Sequence, residues 1–69
     1  MTNSTLTKIY NNIKKYRHKK SFTQAQLAEL TDTSEDYISL IENGKRTPSI
    51  KRLIIIAKAL EIEPYELLK

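Results

Sequence analysis

The sequence contains no cysteine, no tryptophan, one glycine and two prolines in 69 residues. Without cysteine there is no disulfide framework, and with His18 as the only imidazole a zinc finger has no ligand set. A single glycine leaves no material for the glycine-rich loops that cradle nucleotide phosphates. No metal and no cofactor are expected. No run approaches the roughly 20 apolar residues that span a bilayer, and Met1 to Thr7 lacks the apolar core of a signal peptide. A soluble, cytoplasmic protein with no membrane partner is therefore expected. The length admits one domain, residues 1–69, because independent domains begin near about 50 residues; residues 1–4 are expected to be disordered. A chain this small without a staple must fold by packing alone. With 39% hydrophobic and 29% charged residues it has the composition of a globular protein rather than a disordered one.

What charge there is, is segregated. From Met1 to Ala28 there are six bases (Lys8, Lys14, Lys15, Arg17, Lys19, Lys20) and no acid. Glu29 to Glu42 inverts the pattern, with five acids (Glu29, Asp32, Glu35, Asp36, Glu42) and no base. Lys45 to Lys58 is basic again, through Lys45, Arg46, Lys51, Arg52 and Lys58. The net charge of +4 favours an anionic partner, but blocks this short are also what solvated helix faces produce.

The apolar spacing is helical throughout, and no strand is expected. Leu6, Ile9, Ile13 and Tyr16 share one face of a first helix from about Thr5 to Lys19. Thr23-Gln24-Ala25-Gln26 is a capping box with Phe22 and Leu27 in staple positions, so a second helix begins there. It ends by about Thr31, because Thr31-Asp32-Thr33-Ser34 is turn-prone and Ser34 can cap a third helix. That helix carries Tyr37, Ile38 and Ile41 and stops at Asn43-Gly44, where the glycine can take the left-handed conformation. Ser49 caps a fourth, Ile50 to about Leu60, with Leu53, Ile56, Ala57 and Leu60 facing the core. Ile54-Ile55-Ile56 spans about 200° of helix, so one of the three must point outward. Pro64 opens a last short helix to Leu68, with Leu67 and Leu68 folding back on the core. The expected architecture is an all-α, compact five-helix bundle.

Two short helices joined by a tight turn, the second opening with polar residues, are the ingredients of a helix-turn-helix. The major groove of DNA is about 12 Å wide and admits one helix, whose N-terminal side chains reach base edges while the preceding helix crosses the phosphates. Small helical bundles contain such pairs for structural reasons too. More specific are three segments: Phe22-Thr23-Gln24-Ala25-Gln26-Leu27-Ala28-Glu29, Tyr37-Ile38-Ser39-Leu40-Ile41-Glu42-Asn43-Gly44-Lys45-Arg46-Thr47-Pro48-Ser49, and Ala57 to Leu68. Together they resemble the DNA-binding domain of the lambda and 434 repressor and Cro family, over nearly the whole chain from Ile9 to Leu68. The Tyr-Ile-Ser segment is similar to that of restriction-modification controller proteins.

The resemblance implies a lambda repressor-like fold, a transcriptional regulator of bacterial or phage origin, double-stranded DNA as partner, and a homodimer on a palindromic operator. Thr23, Gln24, Ser34, Asn43, Lys45 and Arg46 match positions that grip phosphate. Arg17 and Glu42 match a buried salt bridge. Glu35, Asp36, Ser39 and Leu40 occupy the slots that face base edges in relatives, and Tyr37 matches a ring that approaches DNA or packs beside it. Carboxylates repel phosphate and can accept from cytosine N4, yet they also suit the first turn of any helix; both readings of Glu35 and Asp36 stay open. The family usually has glycine where this chain has Ser21 and Asp32. A dimer interface is expected at Ile55, Ile62, Tyr65 and Leu68.

An enzyme is not expected, since His18 has no partner triad in view and no nucleophile or metal cluster is evident. No small-molecule ligand is expected either. Repression by occluding polymerase is the expected function; a controller that activates as well as represses, and a protein-interaction module using the same fold, are the alternatives.

Overall fold

The computed structural model describes residues 4–69. Within them the order is α1 (Ser4–Lys19), α2 (Gln24–Leu30), α3 (Glu35–Glu42), α4 (Ile50–Ala59) and a 3₁₀ helix (Pro64–Leu68). All regular secondary structure among the described residues is helical. The bundle thus has four α-helices, and the expected fifth helix is a 3₁₀ turn. Five residues opened by a proline are too few to sustain i→i−4 bonding, and the Glu66 N–H donates instead to the Glu63 carbonyl at 2.9 Å. Of the residues expected to be disordered, Ser4 is the first of α1, and 1–3 lie outside the described residues.

Each α-helix after the first starts at a side-chain cap. Thr23 accepts from the Gln26 N–H at 3.0 Å while Gln26 Oε1 accepts from the Thr23 N–H at 2.8 Å, which completes the capping box. Ser34 accepts from the Tyr37 N–H at 3.0 Å and Ser49 from the Arg52 N–H at 3.2 Å. The helix ends are equally uniform. After α1, α2, α3 and α4, the paired bonds of the Schellman motif form at Ser21–Phe22, Asp32–Thr33, Gly44–Lys45 and Glu61–Ile62. The pivot residues have φ of 59°, 55°, 72° and 60°, and only the third is glycine.

Ile13, Leu27, Ile38, Ile41, Ile56, Leu60 and Leu67 are the largest fully buried side chains, drawn from every helix and the 3₁₀ turn. The fold-back of the C-terminal segment is half as deep as expected: Leu67 is buried but Leu68 is 49% exposed. Successive residues of so tight a turn cannot share one face. Asn12 Nδ2 donates to the Leu67 carbonyl at 2.9 Å, which fastens the segment to α1.

The isoleucine run turns one side chain outward. Ile56 is fully buried, Ile54 is 51% exposed, and Ile55 is half-buried. The reason lies on the other flank of α4. Arg52 donates to the Thr31 carbonyl at 3.4 Å, at the end of α2, and Ile55 follows Arg52 by three residues on the same stripe. The exposed isoleucines of α4 are Ile50 and Ile54.

Candidate nucleic-acid interface

α2 and α3 are joined by Thr31–Ser34, and the joint is built from hydroxyls. Thr31 is buried and its Oγ1 donates to the Leu27 carbonyl at 2.9 Å. Thr33 Oγ1 lies 2.9 Å from Thr31 Oγ1 and its N–H reaches the Ala28 carbonyl. Asp32 takes the left-handed position that glycine would otherwise occupy. Asp carries that conformation at lower cost than most side chains, so the turn forms without glycine.

The turn aims the start of α3 outward. Glu35 and Asp36 are exposed in its first turn, Leu40 is 39% exposed one turn later, and Ser39 between them is half-buried, accepting from Asn43 Nδ2 at 3.3 Å. Tyr37 is half-buried, and the Arg46 guanidinium carbon stands 5.1 Å from the centre of its ring. Such a cation–π contact holds Arg46 back toward the start of α3. The Ile38 and Ile41 side chains face inward. α3 therefore has one anchored face and one free, mixed face of carboxylates, a leucine and a tyrosine edge.

Around this face lie the groups that could receive an anion. Thr23 and Ser34 are exposed at the starts of α2 and α3; each hydroxyl accepts one backbone bond and keeps its own proton to donate. Asn43, Lys45 and Arg46 are exposed just after α3. A polar depression of about 490 Å³ lies between the start of α3 and the start of α4, lined by Ser34, Tyr37, Arg46, Ser49 and Arg52 among others. Arg52 was not singled out from sequence; it was visible only as one base in the third charge block.

Gln24 is less free than its position implied. It is half-buried, and its Nε2 donates to Glu42 Oε1 at 3.1 Å. An amide nitrogen carries two protons, so one remains for a second acceptor. Glu42 is the hub of this corner. Arg17 Nε donates to Glu42 Oε2 at 2.6 Å and Arg17 Nη2 to Glu42 Oε1 at 3.0 Å, a two-pronged pair between α1 and the end of α3. Two of the three remaining guanidinium protons reach the Phe22 carbonyl at 2.8 Å and His18 Nε2 at 3.1 Å. Both partners are buried, and every buried side-chain nitrogen or oxygen among the described residues has a hydrogen-bond partner. The pair ties α1, the capping loop, α2 and α3 into one rigid unit.

A second depression is apolar. Ile50 is 77% exposed, and with Leu53, Ile54, Pro64, Tyr65 and Leu68 it lines this depression of about 430 Å³. Of the four residues expected at an interface, Tyr65 and Leu68 line this depression, and Ile55 and Ile62 lie outside it. Ile55 sits on the Arg52 stripe and Ile62 packs against the core. Ile50 and Ile54, four residues apart, line the depression as well. No helix among the described residues is long and apolar enough to cross a membrane, and these residues hold no cluster of three potential metal ligands.

Comparison with known proteins agrees with this arrangement. A family model described as helix-turn-helix matches residues 13–67. The control protein C.SmaI of Serratia marcescens is 37% identical over 57 residues, which is 83% of this chain and 68% of that protein. The restriction-modification controller protein C.AhdI from Aeromonas hydrophila superposes with a TM-score of 0.87 at 32% identity, over 94% of this chain and 98% of that one. The P22 c2 repressor, solved in complex with a synthetic operator, superposes with a TM-score of 0.81 at 31% identity, over 88% of this chain and 92% of its own. With the capped α2, the hydroxyl-built turn and the outward α3 all inside the matched segment, the chain belongs to the helix-turn-helix family.

Proposed function

We propose that this helix-turn-helix regulator of transcription binds a palindromic operator as a homodimer, with α3 in the major groove of each half-site. The observation that carries the reading is the exposed face of α3 set between phosphate-competent groups: hydroxyl caps at Thr23 and Ser34 on one side, and Asn43, Lys45 and Arg46 on the other. Phosphate contacts fix register and base-edge contacts select sequence. Glu35 and Asp36 lower affinity in general and favour cytosine N4 in particular; Ser39, Leu40 and Tyr37 complete the reading surface. Its half-sites are about 34 Å apart, one turn of the duplex.

The second copy docks on the apolar depression of Ile50, Leu53, Ile54, Pro64, Tyr65 and Leu68, which leaves both α3 helices free. Its exposed isoleucines are the kind of contiguous apolar patch that marks an association surface. Sedimentation of the protein on operator DNA as a monomer would overturn this part.

The resemblance to control and controller proteins favours a regulator that activates as well as represses, over a repressor that only occludes polymerase. Selection from random duplexes is the decisive experiment. A two-fold motif with cytosine opposite Glu35 or Asp36 is expected. Two cations per subunit, Lys45 and Arg46, give four per dimer, so log K should fall against log salt with a slope of roughly −3 to −4. No enriched motif and no binding near ~50 mM salt would turn the assignment toward a protein-interaction module.

A further inference from the structure

Tyr10 belongs to α1, 34 residues before Gly44, and has no place in the recognition surface described above. Its ring nonetheless reaches the loop that follows α3. A Cβ placed on Gly44 would meet Tyr10 Cδ2 and Cε2 at 3.2 Å, closer than ordinary contact, so the ring lies flush against a backbone that carries no side chain. The Tyr10 hydroxyl lies 3.0 Å from Thr47 Oγ1, a hydrogen bond between the two hydroxyls. The contacts fall on either side of Lys45 and Arg46. Beyond Thr47 the chain is fixed by Pro48, which is buried, and before Gly44 by the Gly44 and Lys45 N–H groups bonded to the Ile41 and Leu40 carbonyls.

The placement follows from α1 itself. Tyr10 and Arg17 are seven residues apart, two turns along one face. Arg17 holds the end of α3 through Glu42, and Tyr10 holds the loop that continues from it. α1 is thus a strut laid along the end of α3.

We propose that Tyr10 is a positioning residue for DNA binding: it braces the 44–47 loop at both ends so that Lys45 and Arg46 are presented to the phosphate backbone in a fixed place. This rests on the DNA reading above. The brace works without touching DNA. A loop no longer held at both ends does not bring its two cations to the phosphates together, so loss of the brace removes part of the ionic contacts themselves.

The test separates bracing from folding and from DNA binding. In the free protein, 15N relaxation should give loop amides at 44–47 nearly as rigid as α3, and in Tyr10→Leu their order parameters should fall below about 0.6. Unchanged order parameters in Tyr10→Leu overturn the brace, whatever the protein does with DNA. On a duplex recovered by selection, Tyr10→Leu should make the slope of log K against log salt less negative by about 1 or more, toward that of Lys45→Ala/Arg46→Ala. Adding Tyr10→Leu to that double variant should then change Kd by less than about twofold. Tyr10→Phe, which keeps the ring on Gly44, should restore most of the slope. A Tyr10→Leu protein that melts earlier but keeps the wild-type slope overturns the proposal in favour of a purely structural tyrosine. A wild-type protein that binds no duplex sinks the DNA reading and the proposal's binding consequence with it, while the relaxation result still decides whether the brace exists.

Discussion

The four α-helices stop in the same way but with different residues. Gly44 closes α3, whereas Ser21, Asp32 and Glu61 close α1, α2 and α4 with the same hydrogen bonds and nearly the same positive φ. For a side-chain-bearing residue that conformation costs roughly 1–2 kcal/mol, somewhat less for Asp. The difference lies in the residue that follows. Phe22 and Ile62 pack against the core, and Thr33 is tied by its hydroxyl to Thr31. In each case a contact made by the residue after the pivot, with the core at Phe22 and Ile62 and with Thr31 at Thr33, holds the turn and offsets its cost. After Gly44 comes Lys45, which is exposed rather than packed against the core. A closure whose next residue is exposed cannot borrow stability from the core. It uses the one residue for which the conformation is inexpensive, and it leaves room for the Tyr10 ring.

Gly44→Ala should break this most severely. The methyl group would have to share space with Tyr10 at 3.2 Å while the backbone holds a φ of 72°. The left-handed cost and the contact act together, and the stiffer unfolded chain returns part of the loss, for a net destabilisation of about 1–2 kcal/mol. Thermal denaturation should register a fall in Tm of roughly 5–15 °C. In a Tyr10→Leu background the contact disappears, so the alanine should cost measurably less there. Equal losses in the two backgrounds would mean that the ring does not constrain Gly44.

The sequence announces its helix starts more clearly than its stops. Thr23, Ser34 and Ser49 are caps because a hydroxyl before an apolar-periodic run has one local use, and the structure employs all three. Gly44 was legible for a similar reason. Glu61 was not, since a glutamate carries no local signal for positive φ and its conformation is imposed by Ile62 packing beyond it. The same distinction governs the site. Arg17 and Glu42 were recognisable through family resemblance, whereas the Tyr10 brace depends on a meeting of residues 37 apart that no local pattern encodes. On α4 the triple isoleucine showed that one side chain points outward. Which one it was depended on the packing of Arg52 against α2, a tertiary fact.

Restoring glycine at the other stops should have the opposite and smaller effect. Ser21→Gly relieves the left-handed strain but loosens the unfolded chain, leaving a gain of roughly 0.5 kcal/mol. Asp32→Gly should gain less, because Asp already tolerates the conformation. Urea titrations with unchanged m-values would measure both. If Asp32→Gly stabilised more than Ser21→Gly, the local tolerance of Asp would not be what holds the recognition turn.

The smallest expected effect is at Glu61, and it depends on pH. This side chain is fully exposed and forms an ion pair and hydrogen bond with Lys20, which together hold its carboxyl below the ordinary glutamate value of 4.5. A carboxyl whose pKa is lower in the folded state contributes stability above its unfolded value and loses it as pH falls through the folded one. Glu61→Gln removes the charge and keeps a side chain at the left-handed pivot. The Tm difference between wild type and Glu61→Gln should therefore be greatest near neutral pH and low salt, and close as the pH falls through the lowered value of the folded carboxyl. Glu61→Gly loses the same pair but gains backbone relief, which does not titrate. At acid pH, with the pair gone from both proteins, Glu61→Gly should be the more stable than wild type. A glycine variant less stable than wild type in acid would show that the glutamate stem, rather than its charge, supports the end of α4.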